Sequence, residues 1–497
     1  MNPFDQFGLN ITRRYFFQQG SHVLGSAALA SLLGQRAFGA DNAPTAADPE
    51  LTKTIGKHAA LAATHFPVKT KNVIYLHMVG GPSQMDLFDY KPQMNEWYDK
   101  DLPESIRNGQ RLTTMTSGQS RFPVAPSMYK FAQHGQCGMW MSELLPNTAK
   151  MADDLCFIRS LNTEAINHEP AISYIQTGNQ VTGRPCLGSW TSYGLGSLNE
   201  NLPTFAVMVA KPTNNEQIQA ISARIWSAGY LPGEHAGVSL RTAGDPILYI
   251  NNPDGVSSEV RRKTLDGINR LNQLTLDEIG DPETRTRIQQ YEMAYKMQSS
   301  VPELTALETE PESTYQLYGE EAKKPGTFAN TALLARRMVE RGVRFVQIYL
   351  NNWDHHGNVG KRLPSQCKDI DQACYGLIQD LKARGLFDST LVIWGGEFGR
   401  TIYSQGGLTK DNYGRDHHPR CFTMWMAGGG SKGGAIYGET DDFSYNIVKD
   451  PVHIRDFHAT VLRLMGIDHE RFSYRTNGLD GKLTGVEPAK VIKELMA

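Results

Sequence analysis

Two short apolar runs in this chain each empty into metal-ligand side chains, and a third ligand cluster follows them. Val343-Arg344-Phe345-Val346-Gln347-Ile348-Tyr349-Leu350 suits a buried strand and gives way to Asn352-Trp353-Asp354-His355-His356-Gly357. Thr390-Leu391-Val392-Ile393-Trp394 is a second such run, ending in Gly395-Gly396-Glu397-Phe398-Gly399-Arg400-Thr401. Gly414-Arg415-Asp416-His417-His418-Pro419 comes shortly after. Strands that end in Asp, His and Glu are expected of an open α/β sheet with a metal site at its carboxyl edge.

At 497 residues the chain can bury a sizeable core, and length alone suggests two or three domains. The motifs run through too much of it for that, which favours one large α/β domain with insertions. With 50 basic and 52 acidic residues the net charge is -2, so no global field recruits nucleic acid or an anionic membrane. The six cysteines contain no Cys-x-x-Cys pair and no disulfide-like framework. Cys367 and Cys374 fall on a predicted helix roughly 10 Å apart along its axis, which makes them poor disulfide partners.

Residues 1–40 read as a twin-arginine export signal. Thr12-Arg13-Arg14-Tyr15-Phe16-Phe17 is followed by a mildly apolar stretch from His22 to Leu33 and by the small residues of Ala37-Phe38-Gly39-Ala40. The bland alternative is an amphipathic first helix with a chance Arg-Arg pair. The apolar stretch is too short, and too broken by Gly and Ser, to span a bilayer. The expected product is a soluble periplasmic or extracellular protein whose partner during export is the twin-arginine translocation machinery. Residues 41–70 read as a tether.

Asn72-Val73-Ile74-Tyr75-Leu76-His77-Met78 is the first core strand, and Gly80-Gly81-Pro82 after it makes a tight turn open to close backbone approach. Leu155 to Ser160 is the next strand, leading to Asn167-His168-Glu169-Pro170 and a helix over Ala171–Gln176. Residues 201–210 and 245–250 are candidate further strands. From about 256 to 342 the pattern is charged and helical, with turns around Pro302, Pro311 and Pro325. Ile454 to Met465 reads as a helix ended by Gly466.

Asp354 and His356, two apart where a strand exits into a loop, can face one cavity; the alternative is a loop capped by side-chain hydrogen bonds. His355 between them faces the other way, toward a supporting or substrate-facing role. Glu397 is a ligand or an N-cap partner. His417 is the favoured ligand of its cluster, with Asp416 or His418 orienting it. Asp86 and Asp89 both follow the first turn, and Asp89 is also a helix-cap candidate. His168 fits a ligand, a base or a plain turn residue. Arg184 and Arg400 fit oxyanion binding or a structural ion pair.

Taken together these motifs resemble an exported family, domain of unknown function 1501, which is related to sulfatases and the alkaline phosphatase superfamily. The resemblance rests on the twin-arginine start, Gly80 through Asp89, Gly183-Arg184-Pro185 through Ser189-Trp190, Tyr230-Leu231-Pro232 and Tyr249-Ile250-Asn251-Asn252-Pro253. It continues through the three ligand clusters to Asp456-Phe457-His458-Ala459-Thr460 and Asn477-Gly478. It implies a doubly wound, mostly parallel sheet flanked by helices over residues 71–497, with one or two divalent metals at the strand ends. By the same resemblance Asp354, His356 and His417 hold a first metal, and Asp86 and Glu397 a second. His168 and Arg400 are then the catalytic candidates. The mixed ligands suit zinc, manganese or iron, while calcium wants more oxygens.

The chain departs from that superfamily at the nucleophile, because the position about nine residues before Thr177-Gly178 is His168, neither hydroxyl nor thiol. His168 then becomes a candidate second-metal ligand, leaving a metal-bound water, Thr163 or Ser173 as nucleophile. No Cys-x-Pro-x-Arg motif occurs, which argues against a formylglycine mechanism. Two readings follow. One is an exported metal-dependent hydrolase of sulfate or phosphate esters, with a polysaccharide ester among the candidate substrates. The other is a non-catalytic binding or scaffold protein that keeps the fold.

Overall fold

The computed structural model describes residues 49–214, 221–248 and 250–497, so the export-signal reading of residues 1–40 lies outside the described residues. Nine strands share one sheet: β1 (Asn72–Met78), β2 (Leu155–Asn162), β3 (Phe205–Ala210), β4 (Val238–Leu240), β5 (Phe345–Leu350), β6 (Thr390–Gly395), β7 (Phe422–Ala427), β8 (Ile436–Tyr437) and β9 (Val452–His453). Their order is β8-β2-β7-β6-β1-β5-β3-β4, with β9 beside β2. Only β7 runs antiparallel to its neighbours β2 and β6; the other pairings are parallel.

Parallel strands must be covered on both faces, which explains why β1, β5 and β6 read as continuous apolar runs and are buried at every residue. The helices that matter here are α1 (His168–Thr177), α2 (Leu187–Leu195), α3 (Ser258–Ile279), α4 (Pro282–Thr305), α5 (Phe328–Glu340), α6 (Val359–Ala383) and α7 (Ile454–Leu464). Alternate residues of β1 enter two cores. Ile74, Leu76 and Met78 pack with α5 and α6 on one face, while Val73 and Tyr75 pack with α2 and α7 on the other. α6 shows how sequence makes such a helix: Leu363, Cys367, Ile370, Cys374, Leu377 and Leu381 recur at helical spacing and form its buried stripe. Each fully buried leucine contributes about 1.5–3 kcal/mol. Both cysteines of that stripe are free thiols.

The architecture is the doubly wound α/β sheet expected from the sequence. β5 and β6 flank β1 on opposite sides, so the crevice for a site opens beyond the carboxyl ends of these three strands. Some local expectations need correction. Residues 245–248 and 250 form no strand; β4 takes the edge position instead, and the Pro246 carbonyl accepts from Arg241 N–H at 2.8 Å. Pro302 stands inside α4 and not at a turn, because Val301 and Leu304 beside it are buried and hold the last turn in place. The supposed tether is tied down from Gly56 onward, where backbone N–H groups of Gly56, Ala60 and Lys69 reach carbonyls of Leu195, Tyr193 and Leu464. No helix among the described residues is long and apolar enough to cross a membrane.

Candidate metal centre

Loops from all three central strands meet at one point. After β1 the chain turns at Gly80, whose φ of +120° and close approach exclude a side chain: a Cβ would lie 2.4 Å from Asp354 N. After β5 come Trp353 to His356, and after β6 comes Glu397. A two-stranded ribbon pairs Gly399–Arg400 with His417–His418, placing His417 opposite Arg400. α1 begins at His168, and the Phe398 ring packs against both the His168 and the His417 imidazoles.

His168, Asp354, His356 and His417 thereby bring one ligand atom each within 4.8 Å of one another. His356 Nε2 lies 2.8 Å, and His417 Nε2 3.4 Å, from Asp354 Oδ1; His168 Nε2 lies 3.2 Å from Oδ2. The two nitrogens of His356 and His417 are 3.1 Å apart. A small ion held at 2.0–2.1 Å by four tetrahedral donors keeps them about 3.3–3.4 Å from one another. The residues therefore fit a divalent ion.

The far side of each ring sets its tautomer. His168 Nδ1 is 2.6 Å from Glu397 Oε1, His417 Nδ1 is 2.7 Å from the Ile166 carbonyl, and His356 Nδ1 is 2.5 Å from Gln405 Oε1. All three partners are oxygen acceptors, so each Nδ1 carries a proton and three Nε2 atoms converge on the Asp354 carboxylate. His168 Nε2 is buried and turned toward the Asp354 carboxylate.

Burial alone would raise the Asp354 carboxyl. Arg400 and the hydrogen bonds from the imidazoles outweigh it and hold the group far below the usual carboxylate range. Burial likewise lowers His168, yet its bonds to Asp354 and Glu397 win and hold it at about 9, so an ion entering there displaces a proton. Burial, with Arg400 nearby, lowers His417 to about 4 against the opposing pull of Asp354.

The structure separates other predicted residues from this group. Glu397 stands behind His168: fully buried, it accepts from Gly80 N–H at 2.9 Å and lies 3.5 Å from His77 Nε2. Arg400 donates through Nε to the Gly81 carbonyl at 2.9 Å, through Nη1 to that of Arg415 at 3.2 Å, and through Nη2 to Gly80 and to Asp354 at 2.6 Å. Its donors clamp the site's own loops. Asp86 is bound elsewhere, by Arg415 Nε at 2.7 Å and Ser83 Oγ at 2.6 Å. Asp89 accepts from Thr440 and Ser444, Asp416 from Thr113 and Thr116, and His418 faces the Tyr445 carbonyl and Gln110. His355 is buried and pushed down to about 3, chiefly by that burial. Ser173 Oγ donates to the Asn179 carbonyl, and Thr163 Oγ accepts from Ala165 N–H. Sequence reasoning missed Gln405 and the Ile166 carbonyl. A backbone carbonyl leaves no mark in a sequence, and Gln405 sits in an aperiodic loop.

Residues 70–496 match the family described as "Protein of unknown function (DUF1501)". No curated protein is significantly similar in sequence. Among solved structures, a protein in the alkaline phosphatase superfamily from Vibrio parahaemolyticus is 11% identical, over 84% of this chain and 71% of its own, with a TM-score of 0.30. Alkaline phosphatase from the Antarctic bacterium TAB5 is 11% identical over 80% and 98%, with a TM-score of 0.30. The PsFucS1 sulfatase from Pseudoalteromonas sp. is 13% identical over 80% and 68%, also with a TM-score of 0.30. Likeness this loose transfers no residue role.

Proposed function

The chain belongs to the DUF1501 family, and from that premise together with the site geometry we propose that it is a metal-dependent hydrolase of sulfate or phosphate esters. The observation that carries this reading is the set of three imidazoles, each tied at Nδ1 and turned by Nε2 toward one carboxylate. Hydrogen-bonded partners of that kind are what fixes a metal ligand. The nitrogen-rich set favours zinc, manganese or iron over calcium. One four-donor group among the described residues supports one ion per chain.

A divalent ion bound there would polarise an ester oxygen and favour attack at the ester centre. The chain's own residues supply the frame. Glu397 holds the His168 ring, the Gly80 N–H anchors Glu397, and Arg400 ties Asp354 to the loop after β1. The side chains of His168, Asp354 and His356 are 12–17% exposed, which leaves the group accessible from solvent. A polysaccharide ester belongs in the first substrate screen. The Arg13-Arg14 start supports export by the twin-arginine route to the periplasm or beyond.

One observation favours the alternative, a binding or scaffold protein with a structural ion: four protein donors suffice to close a tetrahedral site. Elemental analysis of purified protein beside Asp354→Asn, followed by assay on sulfate and phosphate esters, separates the two. The hydrolase reading expects one tightly held ion, lost in the variant together with turnover. No ion after loading with zinc, manganese and iron would sink the metal assignment. A retained ion with no turnover on either ester class would leave the scaffold.

A further inference from the structure

The helix α3 turns more apolar surface outward than inward. Leu265 alone of its residues is buried, and Arg262 and Asn269 tie it to Glu292 of α4. On the uncovered side Val260, Ile268, Leu271, Leu274 and Ile279 are 36–65% exposed. A single exposed leucine is ordinary, but a row of them along one helix face marks an interaction surface.

The spacing of that row points to its occupant. Val260, Thr264, Ile268, Leu271, Thr275 and Ile279 share less than a third of the helix circumference at about 100° per residue. Both threonine hydroxyls donate one turn back, to the Val260 and Leu271 carbonyls at 2.9 and 3.2 Å, so only their methyl groups need cover. The intervals run four, four, three, four and four residues, the same from either end. A two-fold axis between Asn269 and Arg270 therefore sets Val260 of one copy opposite Ile279 of the other, Thr264 opposite Thr275, and Ile268 opposite Leu271. Gly267 is exposed beside that axis, with open space where a Cβ would stand, so α3 by itself needs no glycine there; between two helices a glycine permits close approach.

Charge selects the antiparallel order. Arg261, Arg262 and Lys263 stand near the start of α3 against Glu259 alone, and Asp277 and Glu278 stand in its last turn. Arg262 is taken by Asp266 and Glu292, while Lys263 meets Glu259 in an exposed pair that contributes little. Lys263 and Glu278 flank the stripe on the same side. Antiparallel copies bring Lys263 of each within a turn of Glu278 of the other, whereas parallel copies set like charge on like.

We propose that this protein forms a two-fold dimer through α3, the two copies of the helix packing antiparallel along this stripe. A helix of 22 residues is about 33 Å long, which puts the contact at the small end of specific interfaces and the dissociation constant in the micromolar range.

Sedimentation equilibrium of the full-length protein should show a monomer–dimer equilibrium. Leu271→Glu, beside the axis, should raise the dissociation constant by about tenfold or more. Lys263→Glu should raise it several-fold, and adding Glu278→Lys to that chain should restore it. All three residues are exposed, so the variants should melt like the parent and keep its metal content. Direction is read by oxidation: Val260→Cys protein mixed with Ile279→Cys protein should yield a linked dimer. Neither alone should, because the same position in the two antiparallel copies lies about 28 Å apart. A monomer at concentrations well above micromolar would overturn the proposal and leave the stripe to a different partner. So would a dimer unmoved by Leu271→Glu, or a crosslink formed by Val260→Cys alone.

Discussion

Asp86 and Arg415 form an ion pair with no access to solvent, both side chains being at most 1% exposed. Oδ2 accepts from Arg415 Nε at 2.7 Å and from Ser83 at 2.6 Å, while Oδ1 accepts from Arg415 Nη2 at 3.1 Å and from Tyr413 at 3.3 Å. Asp86→Asn keeps the shape but removes the charge, stranding a buried guanidinium opposite a partly donating amide. Breaking a buried pair from one side costs about 3–5 kcal/mol. For a folded body of about 450 residues, with an unfolding entropy near 2.1 cal/mol/K per residue, the melting temperature should fall by about 3–5 °C. The ion, held by other residues, should stay. Calorimetry on metal-loaded and metal-stripped protein, with elemental analysis alongside, tests both halves. A structural pair costs the same in both states, and Asp86→Leu with Arg415→Met should recover much of it. If the variant loses its ion, and stripped variant and stripped parent melt together, Asp86 is a ligand and this reasoning is wrong.

Glu397→Gln should weaken metal binding about 10–100-fold without abolishing it, since the carboxylate orients His168 from behind. Competition against a chelator measures this, and an unchanged affinity would remove Glu397 from that role. His458 is fully buried, donates to the Ile175 carbonyl at 2.8 Å, and is lowered to about 4, chiefly by burial. The unfolded chain takes up that proton first, near pH 6.5, so the stability from neutral His458 is complete above 6.5 and is lost as pH falls toward 4. His458→Gln should flatten the stability curve in that window by about 1.4 kcal/mol per pH unit, as read by urea unfolding; a curve parallel to the parent's would refute it.

The sheet was legible because its signals are local. β1, β5 and β6 are runs of bulky apolar residues that only burial on both faces satisfies, and the polar clusters after them mark the carboxyl edge. The edge strand β4 and the course of α4 through Pro302 were not legible, since short edges and late-helix prolines are decided by what packs against them.

The candidate site divides in the same way. The sequence alone offered Asp354, His356 and His417 as ligand candidates, the first two where an apolar run gives way to a loop. Which acidic group or imidazole completes the set was decided in three dimensions. Asp86 follows the first strand as a ligand should, but Arg415, 329 residues away, holds its carboxylate. His168, at the start of a helix, is drawn in by Glu397, 229 residues away, which binds one nitrogen and leaves the other turned toward Asp354. A side chain's type states which bonds it can make. Which bond it does make depends on the partner that reaches it first at short range in a dry interior, and contacts that distant along the chain exist only once the sheet has assembled.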